Sequence, residues 1–342
     1  MTKKIVTLAG DGIGPEIMDA SLAVLEKIAA DIGFEYEILP YDFGGVAIDK
    51  HGTPLPEGTL MATKNADAIL HGSIGDPKFD QETIRPEQGL LALRKELGLF
   101  ANIRPLKVYA PLKSISPVKN VDDVDFVVVR ELTGGIYFGE HRLEPDVAYD
   151  SCTYTKEEIT RVAKVAFELA RTRRGKVTSV DKQNVLATSK LWRQVVTEVA
   201  KDYPDVELVH QLVDSAAMLL ITDPARFDVI LTENLFGDIL TDEAAAIAGT
   251  LGVMASSSTG VSTALYEPIH GSAPDIAGLG VANPIGMILS VAMMLETTFS
   301  YQDAAAKIHQ AVEETLASGI LTKDLGGEAT TAQIRDAIIA KL

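Results

Sequence analysis

Short apolar runs alternate with stretches whose hydrophobic positions recur every three or four residues, from one end of the chain to the other. That alternation predicts an α/β architecture. The predicted strands are Lys4–Leu8, Ala68–Leu70, Val124–Val129, Val177–Val180 and Asp228–Thr232. Glu158–Arg171 is a predicted helix with Val162, Val165, Ala166 and Leu169 on one face. Leu191–Lys201, Ile239–Ala248 and Asp303–Ala317 share that period, the last bracketed by Asp303 as cap and Gly319 as stop. Glu140–Tyr154 breaks the rhythm. It is polar and aromatic without helical spacing, and fits a protruding hairpin used for dimer contact.

The 342 residues exceed what one compact core usually holds, so two domains or one large α/β unit are expected. No linker rich in Gly, Pro or Ser separates two halves, so the chain is expected to cross between domains more than once. Charge narrows the partners. Lysine and arginine total 31 against 48 acidic residues, a formal net charge of -17 that disfavours nucleic acid and anionic membrane surfaces. The same field repels an anionic substrate, so a site for one must gather cations within about 8 Å of the ligand. The single cysteine, Cys152, excludes a disulfide framework and reads as a small buried hydrophobe. The apolar stretch Pro284–Leu295 is shorter than the roughly 20 residues that span a bilayer, and no signal-peptide pattern opens the chain. The expected location is the cytoplasm.

Several segments carry candidate chemistry. Gly10-Asp11-Gly12-Ile13-Gly14-Pro15 follows a strand and precedes a helix. Its sixth position is proline, so it fits a tight turn with Pro15 at the first helical position better than a dinucleotide fingerprint. Arg94 and Arg104 flank a predicted helix-to-loop junction, and Arg130 ends an apolar strand, where α/β enzymes place ligand contacts. An arginine fork matches a carboxylate, but each arginine taken singly reads more readily as a surface ion pair.

In Thr232–Glu243 a strand ends, Gly237 turns, and a helix opens with Asp238 and Asp242 four residues apart. Two carboxylates on one helical face repel unless a cation sits between them, and all-oxygen ligation suits Mg²⁺ or Mn²⁺. The competing reading makes Asp238 a helix cap and Asp242 a solvated side chain. Asp214, alone in an apolar stretch, is a third carboxylate. Lys182 at a strand end and Tyr137 in a glycine-rich turn are a candidate base and a candidate proton donor, or a solvated lysine and a packing tyrosine. The loop from Glu267 to Asn283 carries small residues suited to close backbone approach, and Asp275 would accept from ribose hydroxyls and repel a 2′-phosphate.

Taken together and in their order along the chain, from the Gly10 turn to Asn283, these motifs resemble the metal-dependent β-decarboxylating dehydrogenases of the isocitrate/isopropylmalate dehydrogenase family over essentially the whole chain. The resemblance implies two domains, roughly 1–99 with 252–342 and 100–251, around a mixed central sheet that is not a Rossmann fold. It implies Arg94, Arg104 and Arg130 as holders of substrate carboxylates, Asp214, Asp238 and Asp242 as metal ligands, and Tyr137 and Lys182 as catalytic groups. It implies Gly75, Glu267, His270, Gly271, Ser272, Ala273, Asp275 and Asn283 as contacts of NAD. It also implies a homodimer in which each site borrows Lys182 and Asp214 from its partner.

The isopropylmalate branch is favoured because Leu90 and Leu91 stand where isocitrate relatives carry a serine and an asparagine, with Glu87 beside them. Burying an isopropyl group there is worth about 1.5–3 kcal/mol. The expected substrate is thus 3-isopropylmalate, in leucine biosynthesis. D-malate, tartrate and homoisocitrate are alternatives, as is a catalytically silent regulatory subunit.

Overall fold

A computed structural model describes residues 2–342. The chain forms two compact units: residues up to Gly98, Tyr109–Ile115 and Gly249–Leu342 make the first, and Leu99–Val108 with Ser116–Ala248 the second.

In the first unit, strand Lys3–Gly10 pairs in parallel with Tyr36–Pro40 on one side and Ala68–Ser73 on the other. Ala68–Ser73 pairs in parallel with Leu265–Pro268, which is antiparallel to Ala255–Gly260. Every residue of Ala68–Ser73 is buried, as expected of a strand with neighbours on both edges and layers on both faces. The chain passes from Lys3–Gly10 to Tyr36–Pro40 on one side and then to Ala68–Ser73 on the other, so the carboxyl ends of Lys3–Gly10 and Ala68–Ser73 flank a topological switch point, the usual ligand crevice of open α/β sheets.

The apolar stretch that proved too short for a membrane becomes helix Ile285–Thr297, buried continuously from Ile285 to Leu295. A helix apolar all round belongs in a core. Among the described residues no helix is long and apolar enough to cross a membrane.

In the second unit, Leu99–Lys107 runs antiparallel to Asp125–Glu131. Val229–Thr232 pairs in parallel with both Asp125–Glu131 and Lys176–Asp181, and Lys176–Asp181 with Glu207–Leu212. Helix Lys156–Arg171 opens with a capping box, in which Thr155 and Glu158 satisfy each other's backbone N–H groups. Its buried face is Ile159, Val162, Ala163, Ala166, Phe167 and Ala170; Val165 and Leu169 sit at the margin. Trp192 and Tyr154 meet edge to face at 5.7 Å in that core. His141–Leu143 and Ala148–Asp150 form an exposed antiparallel hairpin.

Local expectations change in several places. Helix Gln302–Ala317 is preceded by Tyr301, so Asp303 lies in the first turn and is no cap; the backbone turns left-handed at Gly319, at φ 77°. Helix Gly14–Ile32 starts at Gly14, which moves Pro15 to the second position. Arg104 lies within strand Leu99–Lys107, not in a loop. Cys152 is exposed, in an extended segment before the capping box rather than in the core.

Candidate active site

Strand pairing and alternation build the second unit's site. Asn102 lies opposite Arg130 and Arg104 opposite Val128, and side chains two residues apart on a strand share a face. Arg104 and Arg130 therefore project from the same face of adjacent strands. Helix Asn234–Ile247 covers it, meeting the arginines with Asn234, Asp238, Thr241 and Asp242, spaced as one helical face requires. Arg104 Nε donates to Asn102 Oδ1 at 2.7 Å and Nη1 to Thr241 Oγ1 at 2.7 Å. Arg130 Nη1 donates to Asp238 Oδ1 at 2.5 Å, while Nε and Nη2 donate to Asn234 Oδ1 at 3.0 and 2.7 Å.

The helix opens four residues before the expected point, with Glu233 rather than Asp238 outside its first turn. Gly237 is thus inside the helix and makes no turn. It is glycine because a Cβ there would stand 2.6 Å from Arg130 Cγ. The i, i+4 relation of Asp238 to Asp242 is independent of where the helix starts, and it holds.

Tyr137, in the 3₁₀ turn Gly135–Phe138, donates its hydroxyl to Asp238 Oδ2 at 2.7 Å. Partial burial and the Asp238 carboxylate push the phenol up to about 12. Burial works against ionisation of Asp238 as well, but Arg130, the Tyr137 hydroxyl and Arg104 outweigh it and hold the carboxyl below the usual range. Asp242 is 69% exposed, 3.9 Å from Arg104 Nη1. Lys182 Nζ pairs at 2.5 Å with Asp214 Oδ1, on helix Val213–Thr222, and holds that carboxyl low.

Asp238 and Asp242 supply the hard oxygen donors and negative charge that Mg²⁺ or Mn²⁺ takes. The chain does not collect the third within itself: among the described residues no group of three or more His, Cys, Asp or Glu side chains is placed to hold a metal.

The first unit's candidates group around helix Pro86–Glu96 and the switch-point turns. Pro86, Gly89 and Leu93 are buried, whereas Glu87, Leu90, Leu91 and Arg94 fall on one outer face. Arg94 Nη2 donates to Glu267 Oε1 at 3.1 Å, and His71 Nδ1 lies 2.7 Å from Glu267 Oε2. Burial opposes ionisation of Glu267, yet Arg94 and His71 bring it down to about 2. Sequence reading missed His71, whose partner is 196 positions away.

Asp11 was missed too. Its carboxylate accepts from the backbone N–H groups of Gly45, Val46 and Gly75 at 2.7–3.0 Å, tying three loops together. Ile13 N–H donates to the Ser272 carbonyl at 2.8 Å, and a Cβ on Gly12 would lie 2.0 Å from that oxygen. Gly75, at φ 116°, faces both Glu87 and Ser272, each 3.5 Å from where a Cβ would be.

The Gly271–Asn283 stretch is held by its own chemistry. Glu16 accepts from Gly280 and Ala282 N–H at 3.2 Å. Asn283 accepts from Ile285 N–H and donates to Asp324, both at 3.0 Å. Ala273 is left-handed at φ 40°, and Asp275 and Gly271 are exposed. His270 Nδ1 lies 2.9 Å from the Gly271 carbonyl, and burial lowers its pKa.

The family model described as isocitrate/isopropylmalate dehydrogenase matches residues 4–338. The 3-isopropylmalate dehydrogenase of Lactococcus lactis subsp. lactis (strain IL1403) is 65% identical over 341 residues, covering 99% of each chain. That of Streptococcus thermophilus (strain CNRZ 1066) is 62% identical over 345 residues, covering 100% of each. Among solved structures, isocitrate dehydrogenase from Methylococcus capsulatus aligns with a TM-score of 0.90 at 38% identity over 99% of each chain.

Proposed function

The chain belongs to the isocitrate/isopropylmalate dehydrogenase family, and on that footing we propose that it oxidises and decarboxylates 3-isopropylmalate with NAD, as a cytoplasmic enzyme of leucine biosynthesis. The observation that carries this reading is the cluster of Arg104, Arg130, Tyr137, Asp238 and Asp242 about one sheet face. Two cations, a protonated phenol and two carboxylates within contact of one another suit an anionic substrate held beside a hard dication.

Arg94, Arg104 and Arg130 bind the two carboxylates of the diacid, each charge-assisted contact being worth roughly 1.5–3 kcal/mol. Leu90 and Leu91, with Glu87, make the specificity face for the isopropyl group. Asp238 and Asp242, with Asp214 of the partner subunit, hold Mg²⁺ or Mn²⁺, and Gly75, Glu267 and the His270–Asn283 stretch bind NAD, Asp275 disfavouring a 2′-phosphate. When bound, the dinucleotide supplies the hydride acceptor and the dication supplies Lewis acidity at the C2 oxygen. Lys182 of the partner subunit takes the C2 hydroxyl proton. Tyr137, which keeps its proton at neutral pH, returns one to the carbon that loses its carboxylate.

The homodimer is supported by apolar surface on the second unit. Met218, Ile221 and Ile239 lie exposed on helices Val213–Thr222 and Asn234–Ile247, and Leu143, Val147 and Tyr149 on the hairpin, Leu143 at 87%. Contiguous exposed apolar residues mark association surfaces.

The test is NADH formation by the purified chain from 3-isopropylmalate, NAD and Mg²⁺, with and without a chelator. Turnover that the chelator abolishes is expected. Faster turnover of D-malate, tartrate or homoisocitrate would transfer the activity to that acid. No NADH from any of them would leave a silent subunit.

A further inference from the structure

Asn234 is 1% exposed at the start of helix Asn234–Ile247, and its amide joins three parts of the second unit. Its Oδ1 accepts from Arg130 Nε at 3.0 Å and Nη2 at 2.7 Å, gripping one edge of the guanidinium. Its Nδ2 donates to the Gly134 carbonyl at 3.2 Å, in the turn that carries Tyr137. Its backbone N–H donates to the buried Tyr154 hydroxyl at 2.9 Å. One turn along the helix, Asp238 takes Arg130 Nη1 and the Tyr137 hydroxyl on its two oxygens.

A planar fork gripped along one edge has its roll about the Cδ–Nε bond fixed, which a contact to Nη1 alone does not do. A helix-capping asparagine would spend its side-chain oxygen on the N–H groups of its own first turn. Asn234 spends it on Arg130 instead. We propose that Asn234 is a positioning residue that sets the orientation of Arg130 through its amide oxygen and the seat of Tyr137 through its amide nitrogen. The proposal rests on the dehydrogenase reading for the roles of Arg130 and Tyr137.

The two halves of the amide separate experimentally in the full-length chain. Asn234→Ala removes both, and kcat/KM for 3-isopropylmalate should fall about 10²-fold, the penalty typical of an ångström-scale misplacement. Asn234→Asp keeps the acceptor for Arg130 but cannot donate to the Gly134 carbonyl. KM should return to near the wild-type value while kcat stays low by about tenfold, less than the roughly 10²–10⁴-fold that a positioned proton donor contributes in full.

In ¹⁵N-arginine spectra the Arg130 Nε–H should be protected from solvent exchange in wild type and Asn234→Asp, and exposed in Asn234→Ala. A folded Asn234→Ala with wild-type kcat and KM would overturn the proposal, as would an unchanged Nε–H signal. If that variant does not fold, Asn234→Asp decides: equal losses in kcat and KM, or none, refute the division of roles. Wild-type protein inert toward every hydroxy diacid would sink the functional reading instead, and the Nε–H signal would still judge Asn234.

Discussion

The two units equip themselves for ligands in opposite ways. In the first, charged side chains are tied off: Glu267 is buried between Arg94 and His71, and Asp11 is spent on three backbone N–H groups. What surrounds the switch point is backbone, with Gly10, Gly12 and Gly14 each so close to a carbonyl oxygen that a Cβ would stand 1.9–2.0 Å from it. In the second unit the candidates are side chains, and several remain open to solvent, among them Asp242 and the Lys182–Asp214 pair. An exposed pair contributes about 0–1 kcal/mol to stability, whereas losing one partner of a buried pair costs about 3–5. The buried Glu267 and Asp11 of the first unit are therefore expected to hold structure, whereas the exposed Asp242 and the Lys182–Asp214 pair of the second contribute little to the fold. Substitutions in the two units should fail in different assays.

The largest effect is expected from Tyr137→Phe. It removes the proposed proton donor and its bond to Asp238, and kcat should drop about 10²–10⁴-fold while Tm and the Kd for 3-isopropylmalate stay near wild type. The phenol is 37% exposed and serves no core. A variant that turned over normally would take Tyr137 out of the reaction; one that lost Tm instead would erase the contrast between the units.

Next comes Glu267→Gln, which leaves the Arg94 guanidinium and the buried His71 ring against a neutral amide. A loss of about 3–5 kcal/mol is expected, read as a lower urea midpoint. The acid limb should change as well. Glu267 titrates near 2 in the folded chain, below its ordinary 4.5, so its contribution is present above about pH 4.5 and fades as pH falls toward 2. The glutamine variant should lose that limb. An unchanged midpoint would mean that the Arg94–Glu267–His71 group stabilises nothing.

The same contrast governs what was legible in the chain. The second unit's site consists of side chains at readable spacings: the i, i+4 aspartates and an arginine ending an apolar strand keep their relation wherever the element begins. Even the misjudged helix start at Asn234 left Asp238 and Asp242 on one face. Arg104 was harder, because Pro105 suggests a break, yet that proline pairs opposite Val127 inside the strand. The first unit is built from glycine clearances and from partners that no local pattern connects, such as His71 with Glu267 and Glu16 with Gly280 and Ala282. Strands and helices were visible because burial imposes periods of two and 3.6. Asn234 was not, since its value lies in an acceptor aimed at Arg130, and the exposure of Cys152 was not, because a single residue carries no period.

The smallest expected effect is a pH slope on the second unit alone. Glu233 is buried just outside the first turn of Asn234–Ile247; burial pushes its carboxyl up to about 7, with Asp181 adding to the rise and the Ser189 hydroxyl, which donates to it, working the other way. The sign is opposite to that of Glu267. A carboxyl whose folded pKa is raised binds its proton more tightly when folded, so its contribution is complete below the ordinary 4.5 and drains away as pH climbs through 7. Between pH 5 and 8 wild type should lose on the order of 2 kcal/mol from this group, since a tenfold difference in proton affinity corresponds to about 1.4 kcal/mol. Self-repulsion in a chain of net charge -17 also weakens the fold as pH rises. Glu233→Gln separates the two contributions: glutamine can still accept from Ser189 but does not titrate. Its urea midpoint should fall more gently than that of wild type over this range and meet the wild-type curve near pH 5. Parallel curves would mean that Glu233 ionises as freely in the folded chain as in the unfolded one.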